Sequence, residues 1–249
     1  GTFDYCQEIV KAMLANPSFR ETSSLSGVNS INWARIVPQI AYYFYAAANL
    51  GAPYRPISFS VPTGNFGDIF AGYAAKRMGL AIDRLVIASN SNDILPRTVA
   101  SGVYEKRGVS ATTSPSMDIQ VSSNFERYLF ELQGRDAAII RGQMASLAQS
   151  GRFELNDPDN TIARELGAYA SAEDDIAKCI RETVDASGYM LEPHTACGVL
   201  AADHCLEDVV NPEVVLATAH PAKFAEAMTQ IVGEPVSLPT RLHSLLTAK

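Results

Sequence analysis

The stretch best equipped for chemistry is Pro62-Thr63-Gly64-Asn65-Phe66-Gly67-Asp68. It follows a short β-rich run, Pro56-Ile57-Ser58-Phe59-Ser60-Val61. It precedes a helical pattern with apolar residues at Ile69, Phe70, Tyr73 and Ala74. Ligands of open α/β sheets bind beyond the carboxyl ends of the strands. Glycines at 64 and 67 let the backbone approach a ligand closely and adopt positive φ. The free N–H groups of the helix start point outward, where the helix dipole favours an anion. The stretch is thus a candidate phosphate cradle made of Gly64, Asn65, Phe66, Gly67 and Asp68. It is not a Walker loop, since no Lys-Ser or Lys-Thr follows the second glycine. A Gly-x-x-Gly spacing alone fits equally an ordinary βα turn with Asp68 capping the helix.

Other polar residues stand at element ends. Thr218 ends a short strand pattern, where a hydroxyl can bond local backbone. Asn29, Ser30 and Asn32 precede a long apolar helix pattern and suit an N-terminal cap. His194 and His220 each precede a helix-like stretch, and capping or a hydrogen-bonded core position is expected of them ahead of substrate contact. Ser122, Ser123 and Asn124 read as a capping turn rather than a nucleophile. No Ser-His-Asp arrangement can be argued, and His204 and His243 show no partner, so no metal site is expected.

The elements that must position these residues follow from periodicity. Pro56–Val61, a turn, a helix from Asp68 to Met78 and a strand over Arg84–Ser89 make a βαβ unit, which predicts parallel strands. A helix beginning at Asn29 or Ser30 carries Ile31, Trp33, Ile36, Val37, Ile40, Tyr43 and Phe44. It has almost no polar face and is expected to be mostly buried, with a kink or break at Pro38. Helices are predicted near 92–101, 122–133, 136–149, 172–187 and 194–206, and again from Ala222. Val214–Ala217 is a further strand, and Thr161–Tyr169 is ambiguous between helix and strand. Gly151–Asn160 reads as the best loop or subdomain junction, and a helical subdomain is expected over about 122–165. The fold class expected is α/β, with an open, mostly parallel sheet flanked by helices.

The chain has 249 residues, 47% of them hydrophobic, which is ample for a core. A net charge of −7 argues against a basic nucleic-acid surface. No run of about 18 apolar residues is present, so no membrane span is expected. Cys6, Cys179, Cys197 and Cys205 form no CxxC pair. Buried free thiols and a reducing, cytoplasmic compartment are expected. The first residues read as neither signal nor transit peptide, but like the middle of a protein.

Several stretches, in order, resemble threonine synthase, a pyridoxal-phosphate enzyme of the tryptophan synthase β-like, fold type II superfamily. The Gly64 loop looks like that family's cofactor phosphate loop. Leu25–Ile36 is similar to its Asn-Ser-Ile-Asn segment, and Asn90–Leu95 to its next βα turn. Pro115–Arg127 is a close match to a family signature, and Glu192–Gly198 and Thr218–Phe224 complete the set. The resemblance implies conversion of O-phospho-L-homoserine and water to L-threonine and phosphate, with pyridoxal 5'-phosphate as electron sink. It places Gly64, Asn65, Phe66, Gly67 and Asp68 on the cofactor phosphate and Thr218 opposite the pyridine nitrogen. Asn29, Ser30 and Asn32 become candidates for the substrate's phosphate or carboxylate. The family's Schiff-base lysine lies in a Phe-Lys-Asp segment upstream of these motifs. Lys11, Lys76, Lys106, Lys178, Lys223 and Lys249 do not match it, so no catalytic residue is assigned here.

Residues 1–249 therefore correspond to the C-terminal part of the catalytic domain, with the fold incomplete and the N-terminal half missing. As it stands the chain is expected to be inactive, to hold the cofactor weakly and not covalently, and to expose apolar surface that favours self-association. The alternatives are a non-catalytic module binding a phosphorylated amino acid, and another fold type II enzyme such as a serine or threonine dehydratase. An inert structural fragment is a third.

Overall fold

β1 (Ile57–Pro62) is buried along its whole length, as a strand covered on both faces must be. The computed structural model describes residues 3–23, 27, 30–206 and 210–246. β1 pairs in parallel with β2 (Ile82–Ser89) on one side and with β6 (Glu213–Val215) on the other. β5 (Leu166–Ala170) adds to the far edge of β2, also parallel, giving the order β5-β2-β1-β6. The sheet is the open parallel α/β sheet that the βαβ pattern predicts. Thr161–Tyr169 is both of its alternatives in turn, since α8 (Thr161–Glu165) runs straight into β5.

Helices cover the two faces. α3 (Trp33–Asn49) packs on α4 (Gly67–Arg77), the crossover between β1 and β2. α9 (Glu173–Ser187) and α10 (Pro193–Cys205) pack together, and α10 lies directly on β1, β2 and β5. α1 (Phe3–Ala15) and α2 (Pro17–Ser23) precede α3, and α5 (Ile94–Ser101) follows β2. α6 (Phe125–Leu132) and α7 (Ala137–Ser150) come next, and α11 (Ala225–Val232) follows β6. The core divides into two apolar clusters. The first is centred on Tyr43, Phe59, Phe66 and Tyr128, the second on Val86, Ile180, Ala196 and Cys197.

Four expectations are corrected. Gly151–Asn160 is not simply a junction loop: Arg152–Glu154 is β4, antiparallel to β3 (Val103–Glu105). The reason is a buried stack of Tyr104 on Phe153 at 5.0 Å. α3 is not mostly buried. Ile36, Tyr43 and Ala47 face the core, while Trp33, Val37, Tyr42, Phe44 and Tyr45 are exposed. Pro38 does not break the helix, which continues to Asn49 although Pro38 offers no N–H to Ala34. Among the thiols, Cys6 is exposed and Cys205 half-buried, so only Cys179 and Cys197 are buried; all four are free.

α3 and α4 meet where Gly72 stands. A Cβ there would lie 2.6 Å from Tyr43 Cε1 and 3.0 Å from Leu85 Cδ2. Tyr43 cannot move aside, because it is fully buried and its hydroxyl donates to the Asp68 carbonyl at 2.8 Å. Gly72→Ala is therefore expected to destabilise the chain by about 1–3 kcal/mol, the usual range for overpacking. A lower denaturant midpoint with an unchanged m-value would be the signature.

Candidate functional site

Parallel pairing decides where the site forms. Ser60 of β1 stands beside Val215 of β6, and the Leu216 N–H continues the ladder by donating to the Ser60 carbonyl at 3.0 Å. The chain segments leaving the two strands therefore emerge side by side. Gly64 and Thr218 line one cavity of about 230 Å3, together with Pro62, Ser116, Met117, His194, Ala219, Lys223 and Phe224. A larger cavity of about 700 Å3 lies near Trp33, Phe70 and Arg127. It holds neither Gly64 nor Thr218 and lies away from the strand ends, so the smaller cavity is the better site.

The turn after β1 is held from several sides. Phe66 takes the left-handed conformation, φ 62° and ψ 9°, at the N-cap of α4. That conformation costs a non-glycine residue roughly 1–2 kcal/mol. It is held by burying the ring against Phe125 at 5.2 Å and Tyr128 at 5.8 Å. The positive φ expected of the glycines thus falls on Phe66, and the glycines serve close approach instead. A Cβ on Gly64 would sit 2.5 Å from the Ser116 carbonyl oxygen, and one on Gly67 2.9 Å from Ser30 Cβ.

The carbonyls of the turn are already engaged. Ser122 Oγ donates to the Gly64 carbonyl at 2.7 Å, and the Asn124 N–H and Nδ2 both donate to the Asn65 carbonyl at 3.0 Å. No side chain caps α4, whose first intrahelical bond runs from the Phe70 N–H to the Phe66 carbonyl. The amides of Gly67, Asp68 and Ile69 precede that bond. Such a terminus accepts an anion.

The opposite wall is a buried polar pair. Glu192 caps α10 by accepting from the N–H groups of His194 (2.9 Å) and Thr195 (2.7 Å), and from Thr195 Oγ1 at 2.6 Å. His194 Nδ1 lies 2.6 Å from the same carboxylate, and His194 Nε2 accepts the Ser116 N–H at 3.2 Å. An acceptor at Nε2 leaves the proton on Nδ1, where it is donated to Glu192. Burial raises the Glu192 pKa, but the hydrogen bonds from His194 and Thr195 outweigh it and hold the carboxyl below its ordinary range.

Comparison with known proteins decides the family. The family described as "Threonine synthase, C-terminal" matches residues 195–249. A threonine synthase of Pseudomonas aeruginosa is 48% identical over 98% of this chain and 53% of its own length. A solved threonine synthase from Brucella melitensis, bound to PLP, superposes with a TM-score of 0.91 at 56% identity, covering 100% of this chain and 54% of the other. The yeast threonine synthase structure gives a TM-score of 0.86 at 38% identity, covering 100% of this chain and 54% of the other. The chain belongs to the threonine synthase family. It spans about half the length of the relatives it matches.

Within this threonine synthase segment, the expected site residues separate. Gly64 and Thr218 share the cavity. Asn65 and Phe66 shape the turn through their backbone and the buried ring. The Asp68 carboxylate does not line the cavity; Oδ1 accepts from Tyr43 Oη at 3.3 Å. Asn32 caps α3, accepting the Ala34 N–H at 3.0 Å and donating to the Gly27 carbonyl at 2.9 Å. Ser30 Oγ accepts from Asn124 Nδ2 at 3.0 Å, beside Gly67. Asn29 lies outside the described residues. His220 Nδ1 accepts the Ala222 N–H at 3.1 Å, the capping role expected of it. His204 and His243 do have partners, the Tyr169 ring at 4.3 Å and the Leu238 carbonyl at 2.9 Å.

Sequence reasoning missed Ser116, Met117, Lys223 and Phe224 as wall residues and undervalued Ser122 and Asn124 as clamps of the turn. The available signals were the Pro115–Arg127 signature, which covers the wall turn and the clamp, and the Thr218–Phe224 match, which covers Lys223 and Phe224.

Burial pushes the Asp68 carboxyl up to about 6, with the Tyr43 hydrogen bond pulling partly the other way. The folded state thus holds this proton more tightly than the unfolded chain, whose carboxyl titrates near 3.8. The resulting stabilisation is complete below about 3.8 and lost as pH rises through about 6. Asp68→Asn keeps the acceptor for Tyr43 without the charge. It is expected to match the wild type at pH 3.5 and exceed it at pH 7 by on the order of 2 kcal/mol. Denaturant titrations of both proteins across that pH range measure the difference.

Proposed function

We propose that this chain is the cofactor-phosphate and ring-nitrogen half of a threonine synthase active site, and that the whole enzyme converts O-phospho-L-homoserine and water to L-threonine and phosphate. The observation that carries the reading is the shared cavity. Gly64, beside an uncapped helix start, and Thr218, in the segment that leaves the neighbouring strand, line it together. The residues present fit pyridoxal phosphate, whose bound ring supplies an electron sink for negative charge on the substrate. The amides of the Gly64–Asp68 turn would hold its phosphate, with Lys223 adding a cation to the same cavity. Thr218 would face the ring nitrogen. A neutral hydroxyl there leaves that nitrogen less protonated than a carboxylate would. His194 and Phe224 would line the ring's surroundings and exclude water.

We read the lysine that would bond the cofactor covalently and move protons as lying outside this chain. Lys223 matches a different family segment, and its ammonium lies over the Phe224 ring at 5.4 Å. Residues 1–249 are read as the C-terminal part of the catalytic domain, with a helical subdomain over about 122–165 that clamps the Gly64 turn. The exposed side chains Trp33, Val37, Tyr42, Phe44 and Tyr45 on α3 suit docking of the N-terminal half and, without it, self-association. No helix among the described residues is long and apolar enough to cross a membrane. A cytoplasmic location goes with the biosynthetic reading. A substrate role for Asn32 would run through its backbone, since its side chain is already bonded at both ends; Ser30 and Asn29 remain candidates on the family match.

Titrating the chain with pyridoxal phosphate, with inorganic phosphate as competitor, tests the cradle. Reversible binding is expected, about tenfold or more weaker in Gly64→Ala, where the Ser116 carbonyl obstructs the new Cβ. Borohydride reduction should leave Lys223 unlabelled in the isolated chain. After complementation with an N-terminal threonine synthase half it should label a lysine of that half, and phosphate release from O-phospho-L-homoserine should appear. Labelling of Lys223, or binding indifferent to Gly64, would overturn the reading.

A further inference from the structure

The Glu192–His194 pair stands immediately behind the cradle, and neither residue has been given a part in holding it. Glu192 is buried, 1% exposed, and His194 is 3% exposed. A carboxylate taken out of water at this cost is retained only where its bonds are all made, and it takes four: three that cap α10 and its first turn, and one from His194 Nδ1. The cap alone would need no histidine. The fourth bond fixes the imidazole with its proton on Nδ1 and its lone pair on Nε2, the arrangement that can accept the Ser116 N–H.

Ser116 belongs to the one-turn 3-10 segment Pro115–Met117. Its other side rests on the cradle, since the Ser116 carbonyl oxygen and Met117 Cα lie 2.5 Å and 3.3 Å from where a Gly64 Cβ would be. The far end of the segment is held separately, by Asn90 Nδ2 donating to Ser114 Oγ at 2.9 Å. The Ser116 amide itself has His194 as its partner. The His194 ring also touches Phe224, with centroids 4.8 Å apart, on the Thr218 side of the cavity.

We infer that His194, oriented by Glu192, is a positioning residue: it holds the Pro115–Met117 turn against Gly64 and so sets the depth of the anion cradle. The inference rests on the proposed function for the identity of the anion, but not for the contact itself.

Two substitutions separate the two nitrogens of the ring. His194→Gln places an acceptor near the position of Nε2 and can keep the Ser116 bond. His194→Asn places a donor near Nδ1, keeping Glu192 bonded and leaving the Ser116 N–H without its acceptor. Both lose the ring, so a merely structural role predicts equal effects. Two measurements on the 249-residue chain decide it. In amide exchange without ligand, the Ser116 N–H is expected to exchange about tenfold faster in His194→Asn than in His194→Gln, the size expected for one lost hydrogen bond. In titration with pyridoxal phosphate, His194→Asn is expected to bind about tenfold more weakly than the wild type, with His194→Gln restoring most of the loss. Nitrogen-15 shifts of the wild-type imidazole should report the proton on Nδ1.

Equal exchange in the two variants, or a proton on Nε2, would overturn the inference. So would equal pyridoxal phosphate affinity in the variants and a wild type that binds it. A wild type that binds neither pyridoxal phosphate nor inorganic phosphate would instead overturn the proposed function, and the exchange measurement would still decide the role of His194.

Discussion

The parallel pairing of β1 with β6 is the constraint on which the site depends. Parallel neighbours end on the same edge of a sheet, so residues that follow them meet although the chain separates them widely. Gly64 and Thr218 are brought together in this way, and no local interaction could do it. β6 is short and at the sheet edge, with Glu213 exposed. It is kept in register partly from above. Ser60 Oγ donates to the Gly198 carbonyl of α10 at 2.6 Å, and a Cβ on Gly198 would come within 2.6 Å of Val215 Cγ1. α10 can lie this close to the strand ends only because glycine stands at that position. The same helix begins at the Glu192 cap, so one element fixes both the strand edge and the wall of the cavity.

Around that edge, backbone carbonyls are turned toward protein donors. Ser122 and Asn124 take up those of Gly64 and Asn65, and Phe66 is locked by its aromatic neighbours. A phosphate brought to such a turn meets amide hydrogens rather than carbonyl oxygens. The segment that supplies the clamp is itself anchored through a polar cluster. Asp118 Oδ1 accepts from Asn90 Nδ2 at 2.9 Å, Asn92 Nδ2 at 3.0 Å and Thr112 Oγ1 at 2.6 Å. Part-buried networks of this kind hold a single geometry when every member is satisfied. The cradle is therefore a preorganised surface rather than a flexible loop, which is what recognition of a small rigid anion requires.

The exposed face of α3 is the counterpart of this order. Tyr45 is 76% and Tyr42 60% exposed, on a helix whose opposite face carries the fully buried Tyr43. The chain spans about half the length of its relatives, and under the proposed function this is the face that the rest of the enzyme would cover. The periodicity of α3 could not distinguish burial within this chain from burial against another segment, because both demand the same apolar residues. That is why the helix read as buried when its sequence alone was considered.

Local sequence determined the βαβ unit and the glycine turn, because strand propensity and apolar period act over a few residues; the helix expected from Asn29 or Ser30 starts instead after the Asn32 cap, and α10 after a Glu192 cap that was not expected. Motif order also pointed to the family. What only the tertiary structure decided is which residues face one another. Asp68 belongs to the turn in sequence, yet its carboxylate is taken by Tyr43 of a neighbouring helix. His194, readable as a cap or a core residue, proves to bridge Glu192 and Ser116. The short strand β4 formed where a loop was expected, since the partner of Phe153 is Tyr104, far away along the chain. Each of these depends on the free energy of packing between distant segments, which no window of neighbouring residues contains.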